Sequence, residues 1–115
     1  MEKLIPAVVD ELVLSIKELS DKSFQERVWL GKDLRLESSF TDVRMFLVDD
    51  LEEHLLYEYA VAIGLSTPVE LVNLIKLFKE YDYKGKTDRQ IIEDKDWDII
   101  VSQAVIVLEN ISDKV

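Results

Sequence analysis

Apolar residues recur at spacings of three and four along the centre of the chain, and this periodicity constrains the fold more than any other feature. Such spacing belongs to one face of an α-helix, whereas a strand alternates at every second residue. The stretch follows Ser39 or Thr41, either of which can cap a helix, and ends at Gly64. It predicts one long helix, or two helices broken near Asp49 and Asp50. Its apolar face is Val43, Phe46, Leu47, Leu51, Leu55, Tyr59, Ala62 and Ile63.

Helix start signals precede apolar segments along the rest of the chain. A proline suits the first turn of a helix, and a serine or threonine followed three residues later by Glu or Gln forms a capping box. These signals predict an all-α single domain over residues 1–115, a bundle of five or six helices, with a loop over residues 31–38. The predicted starts outside the central stretch are Pro6, Ser23 with Glu26, Thr67 with Pro68, Thr87 with Gln90, and Asp94 or Asp96.

The chain is strongly acidic, with 24 Asp and Glu against 14 Lys and Arg and a formal net charge of −10. A negative field repels nucleic acid phosphates and anionic lipid, and it speeds the encounter with a basic protein. We therefore expect a basic protein partner, no nucleic acid and no membrane. The alternative is that the acidity serves only solubility.

Cysteine is absent, and no apolar run reaches the roughly 18 residues of a membrane span. The first residues continue into Asp10 and Glu11 rather than into the apolar core of a signal peptide. From these features we expect a cytoplasmic protein.

The densest group of acids lies in the second half of the central stretch. Clustered acids on a helix repel one another, so they are either solvated surface, a docking surface or a cation site. We predict a docking surface for a basic protein there, with Tyr57 as its aromatic contact; Tyr57 and Tyr83 are the tyrosines expected at the surface. The predicted partner-binding residues are Asp49, Asp50, Glu52, Glu53, Tyr57 and Glu58. A second acidic cluster is Glu93, Asp94, Asp96 and Asp98.

His54 is the only histidine, and a continuous helix would place Asp50 and Glu58 one turn to either side of it. This spacing suggests a weak metal site or a proton-transfer pair. A zinc site needs three or four ligands, however, and the sequence lacks both the HExxH pattern and the glycine of a calcium loop. We expect no metal, no cofactor and, in the absence of any catalytic motif, no enzyme.

Four short motifs occur between about residues 23 and 108: Arg27-Val28-Trp29-Leu30, Glu37-Ser38-Ser39-Phe40-Thr41-Asp42, Phe46-Leu47-Val48-Asp49-Asp50 and a late helix with Asp96-Trp97. They resemble motifs of small acidic helical bacterial proteins, among them immunity proteins that neutralise polymorphic or contact-dependent toxins. The resemblance implies an antitoxin-like binding protein without catalytic residues; it assigns no site residue.

Two functions from different classes follow. The first is a binding module that caps a basic toxin or enzyme with acidic helix faces. The second is a structural or regulatory helical domain that acts as a homo-oligomer and buries the spare leucines Leu14, Leu34 and Leu36.

Overall fold

Helices account for all the regular structure in the computed structural model, which describes residues 4–31 and 39–112. No strand occurs within those residues, so the predicted all-α class is confirmed. The α-helices are α1 (Pro6–Leu19), α2 (Lys22–Phe24), α3 (Phe40–Arg44), α4 (Leu56–Ala62), α5 (Val69–Glu80), α6 (Asp88–Ile92) and α7 (Lys95–Ser112). Wider π-helical turns follow α2 (Gln25–Trp29) and α3 (Met45–Asp50), and a 3-10 turn (Glu53–Leu55) leads into α4.

The last helix is the scaffold of the core, since α7 packs against both α1 and α5. Its Trp97 is fully buried, and four aromatic rings surround the indole with centroids 5.4–6.0 Å away. Burial of an aromatic side chain removes 150–250 Å² of surface from water, so this cluster is a major source of stability. The four rings belong to Trp29, Phe40, Phe78 and Tyr81.

One buried polar side chain joins three parts of this core. Gln25 is fully buried, and its Oε1 accepts a hydrogen bond of 2.8 Å from Trp97 Nε1. Its Nε2 donates to the backbone carbonyls of Glu18 and Leu19, both at 3.0 Å. A satisfied amide costs little to bury, and it fixes the end of α1 against α7.

Four of the six predicted helix starts are correct and two are wrong. Helix α1 begins at Pro6, and α7 begins directly after Asp94, whose Oδ1 accepts from Asp96 N. Ser39 Oγ accepts from Asp42 N at 3.0 Å, and Thr87 and Gln90 form a complete capping box.

Thr67 does not cap α5, because Pro68 occupies the cap position and the helix begins at Val69. The box at Ser23 is absent because Asp21, two residues earlier, takes the extended cap conformation and accepts from Phe24 N at 3.0 Å. Ser23 therefore lies inside α2.

The central stretch contains two helices, as in the second of the alternatives predicted for it. Leu51 and Glu52 are extended, with ψ of 118° and 116°, and they separate the π-helical turn from the 3-10 turn. This break raises the number of α-helical segments in the described residues to seven, against the five or six predicted. The break also changes the phase of the helix that follows it, and Ala62 on that helix is exposed although it belongs to the predicted apolar face. Phe46, also on that predicted face, lies in the π-helical turn before the break and is half-buried.

Two further predictions concern the chain between α2 and α3. Residues 32–38 of the predicted loop, including Leu34 and Leu36, lie outside the described residues. Gly31, just before them, has φ +75°, the left-handed conformation that closes a helix at low cost only for glycine. Within the described ranges, no helix is long and apolar enough to cross a membrane.

Candidate protein-binding surface

The break in the central stretch builds a turn that displays acids on its outside. Leu51 and Leu55 are buried, at 4% and 8% exposure, and they anchor the turn to the core. The four acids between α3 and α4, Asp49, Asp50, Glu52 and Glu53, are all exposed. We call these four acids, together with Tyr57 and Glu58 on α4, the acidic surface. All six predicted partner-binding residues are thus accessible, but they lie on a turn and a short helix rather than on one continuous helix face.

The backbone of the turn is held by two hydrogen bonds. Leu51 N donates to Phe46 O at 2.8 Å, which closes the π-helical turn, and Leu55 N donates to Glu52 O at 3.0 Å. Neither bond uses a carboxylate. The acids are therefore not needed to close the turn on which they lie.

Few positive charges offset the acidic surface. Glu53 lies 3.4 Å from Lys79 Nζ on α5, and Glu52 lies 3.4 Å from His54 Nε2. Both contacts are exposed, and pairs of this kind contribute only about 0–1 kcal/mol. No lysine or arginine occurs in the sequence between Arg44 and Lys76. Within the described chain, Asp49, Asp50 and Glu58 have no ion-pair partner within 4.0 Å.

Local electrostatics disfavours two of these acids. Asp49 and Asp50 occupy the last turn of the π-helical segment Met45–Asp50. The carbonyl end of a helix carries a partial negative charge, so an acid there costs roughly 0.3–1 kcal/mol when exposed. Glu53 and Glu58, near the start of the next helical segments, are placed favourably by the same rule.

An exposed apolar pair lies beside the acids on α4. Tyr57 is 65% exposed and Val61 is 73% exposed. They are four residues apart, so they lie on the same side of the helix, and with Glu58 they line a shallow open depression. An exposed tyrosine next to an exposed valine provides an amphipathic contact of the kind found at interface centres. Val61 was not among the predicted residues. The sequence could have indicated it, because Val61 is an apolar residue that does not belong to the predicted apolar face of the central stretch.

The predicted His54 constellation does not form as proposed. The break and the 3-10 turn interrupt the helix on which Asp50, His54 and Glu58 were to be one turn apart, and the carboxylate 3.4 Å from the imidazole is that of Glu52. Over the described residues, no group of three or more histidine, aspartate or glutamate side chains could hold a metal ion.

Tyr83, the other tyrosine expected at the surface, is half-buried instead. The Arg44 guanidinium lies 4.6 Å from the centre of its ring, and the Phe40 ring lies 5.5 Å away. These contacts cover the ring because the loop after α5 folds back over the start of α3. Tyr57 is therefore the aromatic residue of the acidic surface.

Comparison with family models, with curated proteins and with solved structures yields no match for this chain.

Proposed function

We propose that this chain is a protein-binding module that caps a basic protein, as an immunity protein caps its toxin, and that the acidic surface is where it binds. The observation that carries the proposal is the exposed Tyr57–Val61 pair directly beside a group of carboxylates with few local cations. An apolar contact with a charged surround is the usual composition of a specific interface.

The charges support the class of partner. Asp49 and Asp50 are retained at a helix end that disfavours them, so they lower the stability of the free protein slightly. A basic partner would reverse this cost by supplying the missing cations. The negative potential would also raise the association rate by steering. The expected cytoplasmic location and the absence of catalytic activity belong to the same proposal.

The test takes any basic protein encoded beside the gene of this chain and measures its association rate with the chain at low salt by stopped-flow fluorescence. Asp50→Lys with Glu53→Lys should lower the rate constant about tenfold or more, because both changes remove steering charge at the site. Raising the salt to 0.1 M shortens the screening length to about 10 Å and should shrink the difference.

The matched control carries the same change in net charge on another helix. Asp10→Lys with Glu11→Lys changes two exposed acids of α1. This variant should lower the rate constant much less than the variant of the acidic surface. Equal rates for both double variants in low salt would show that the acidic surface does not guide association.

A homo-oligomer remains the second candidate, and specific exposed residues favour it. Leu14 on α1 is 51% exposed, and Ile99 and Ile106, seven residues apart on α7, are 55% and 44% exposed. Light scattering coupled to size exclusion separates the candidates. A stable dimer at micromolar concentration, abolished by Ile106→Glu, would favour the oligomer.

A further inference from the structure

A cleft of about 250 Å³ lies between the end of α5 and the start of α7. None of the residues that line it belongs to the acidic surface. Its apolar floor is formed by Leu77 on α5 and by Ile99 and Ile100 on α7. Ile100 is buried, Leu77 is half-buried, and Ile99 is exposed at the edge. The floor therefore offers apolar surface to a side chain that enters from solvent.

Three carboxylates surround this floor, and they come from three different parts of the backbone. Glu80 ends α5, Asp82 lies in the loop after it, and Asp96 lies in the first turn of α7. In the described parts of the chain, none of the three has a Lys or Arg side-chain nitrogen within 4.0 Å, although Asp82 Oδ1 accepts a hydrogen bond of 3.3 Å from the backbone N–H of Lys84. The nearby Lys86 ammonium is already bound, at 2.7 Å from Asp94 Oδ2 and 2.9 Å from the Asp82 carbonyl oxygen.

The hydrogen bonding around the cleft also favours a cation. The helix dipoles do not decide the sign of the charge, because the C-terminal end of α5 presents partial negative charge and the first turn of α7 presents partial positive charge. Tyr81 also lines the cleft, and its hydroxyl donates to Asp94. The pKa of Tyr81 is raised by burial, by that hydrogen bond and by the charges of Asp94, Asp96 and Asp82.

We propose that this cleft receives an arginine side chain of the basic protein partner. The aliphatic stem of arginine packs on an apolar floor while its charged end stays at the edge. A guanidinium has five donors in a planar fork, so it can serve several carboxylates at once, which a compact ammonium does less well. An anionic ligand would meet three unneutralised carboxylates and is excluded by charge.

This inference rests on the proposed function for the origin of the arginine, but its test needs no partner. The probe is N-acetyl-arginine methylamide, titrated into the full chain with isotope-labelled isoleucine and leucine methyl groups and followed by NMR. The methyl resonances of Leu77, Ile99 and Ile100 should shift in a saturable manner. N-acetyl-citrulline methylamide, which has nearly the same shape without the charge, should shift them far less.

The charge requirement is tested with Glu80→Gln combined with Asp96→Asn. This variant should bind the arginine probe about tenfold more weakly, since each exposed ion pair lost accounts for a factor of a few. Asp10→Asn with Glu11→Gln makes the same change in net charge on α1 and should bind as the unchanged protein does. Unshifted cleft methyl groups, equal shifts with citrulline, or equal affinity of the two double variants would each overturn the proposal.

The outcome is separable from that of the proposed function. If the arginine probe binds in the cleft while Asp50→Lys with Glu53→Lys leaves partner association unchanged, the cleft stands and the acidic surface is wrong. If partner association slows in that variant and the probe fails to bind, the acidic surface stands and the cleft proposal is overturned.

Discussion

The two acidic segments of this chain look alike in sequence and differ in the folded protein. In residues 93–98, three of the four carboxylates lie near a lysine or arginine: Asp94 near Lys86, Asp98 near Lys22, and Glu93 near Arg89, although the last pair is 3.8 Å apart and as exposed as the contacts of the acidic surface. In the acidic surface, the carboxylates have two exposed contacts, both 3.4 Å long. The number of acids that are adjacent in the sequence therefore does not reveal their role; the groups that they contact do. We call an acid structural when its carboxylate is bonded within the protein, and available when it has only exposed contacts.

Asp94 shows most clearly what a structural acid does. Its Oδ2 accepts from Tyr81 Oη at 2.8 Å and from Lys86 Nζ at 2.7 Å, and its Oδ1 accepts from Asp96 N at 3.0 Å. One carboxylate thus ties the loop after α5 to the first turn of α7. No side chain of the acidic surface has a comparable set of bonds among the described residues.

The largest expected contrast between the segments is in stability. Trp97, within residues 93–98, is fully buried, whereas Tyr57 is 65% exposed. Trp97→Ala should lower the free energy of unfolding by about 3–5 kcal/mol, because it leaves a cavity among four rings. Tyr57→Ala should change it by less than about 0.5 kcal/mol. Urea unfolding followed by circular dichroism measures both.

If Trp97→Ala does not fold, a milder variant can be compared with Tyr57→Ala in its place. Trp97→Phe keeps most of the aromatic surface but removes the Nε1–H that donates to Gln25. A buried acceptor left without its donor should cost about 1–3 kcal/mol. A similar loss of stability for Tyr57→Ala and either tryptophan variant would contradict the assignment of Tyr57 to an available surface.

Local patterns in the sequence predicted the helices but not the use of the acids. Ser39 and the Thr87–Gln90 box were identified because their bonds span three residues. The acids of residues 93–98 could not be classified because their partners are remote: Asp94 bonds to a tyrosine 13 residues away and a lysine 8 residues away. Residue spacing carries no information about such contacts.

The break in the central stretch illustrates a second limit. The apolar periodicity continues through it, because Leu51 and Leu55 are both buried although the chain between them is not α-helical. Periodicity alone therefore could not choose between one helix and two. The Asp21 cap was missed for a related reason: Ser23 and Glu26 have the right spacing, but Asp21 takes the extended conformation that a cap requires.

The acid dependence of stability should distinguish Asp94 from the acidic surface, with a smaller effect than loss of the indole. Hydrogen bonds from Lys86, Tyr81 and the Asp96 backbone lower the pKa of Asp94 from 3.8 to about 2. A folded-state pKa below the unfolded value means that the stabilisation is complete above about pH 5 and is lost as the pH falls through 4 towards 2.

Asp94→Asn keeps the shape of the side chain and removes its charge. Its deficit in free energy of unfolding should be largest near neutral pH and should shrink as the pH falls to about 2, where the carboxyl of the unchanged protein is itself about half protonated. Urea unfolding at a series of pH values gives this curve, with Asp50→Asn as the control. A deficit independent of pH would show that the tie does not depend on the charge of Asp94.

The smallest expected effect is that of removing the charge of Glu53 in the acidic surface. Glu53 lies 3.4 Å from Lys79, and their side chains are 77% and 34% exposed. Glu53→Gln should lower the free energy of unfolding by less than about 0.5 kcal/mol, because water screens the lost pair and the change relieves repulsion among the neighbouring acids. The small deficit should vanish in 1 M salt, where the screening length is about 3 Å. A loss above about 1 kcal/mol that resists salt would place Glu53 with the structural acids, and the acidic surface would then have one fewer carboxylate to offer a basic partner.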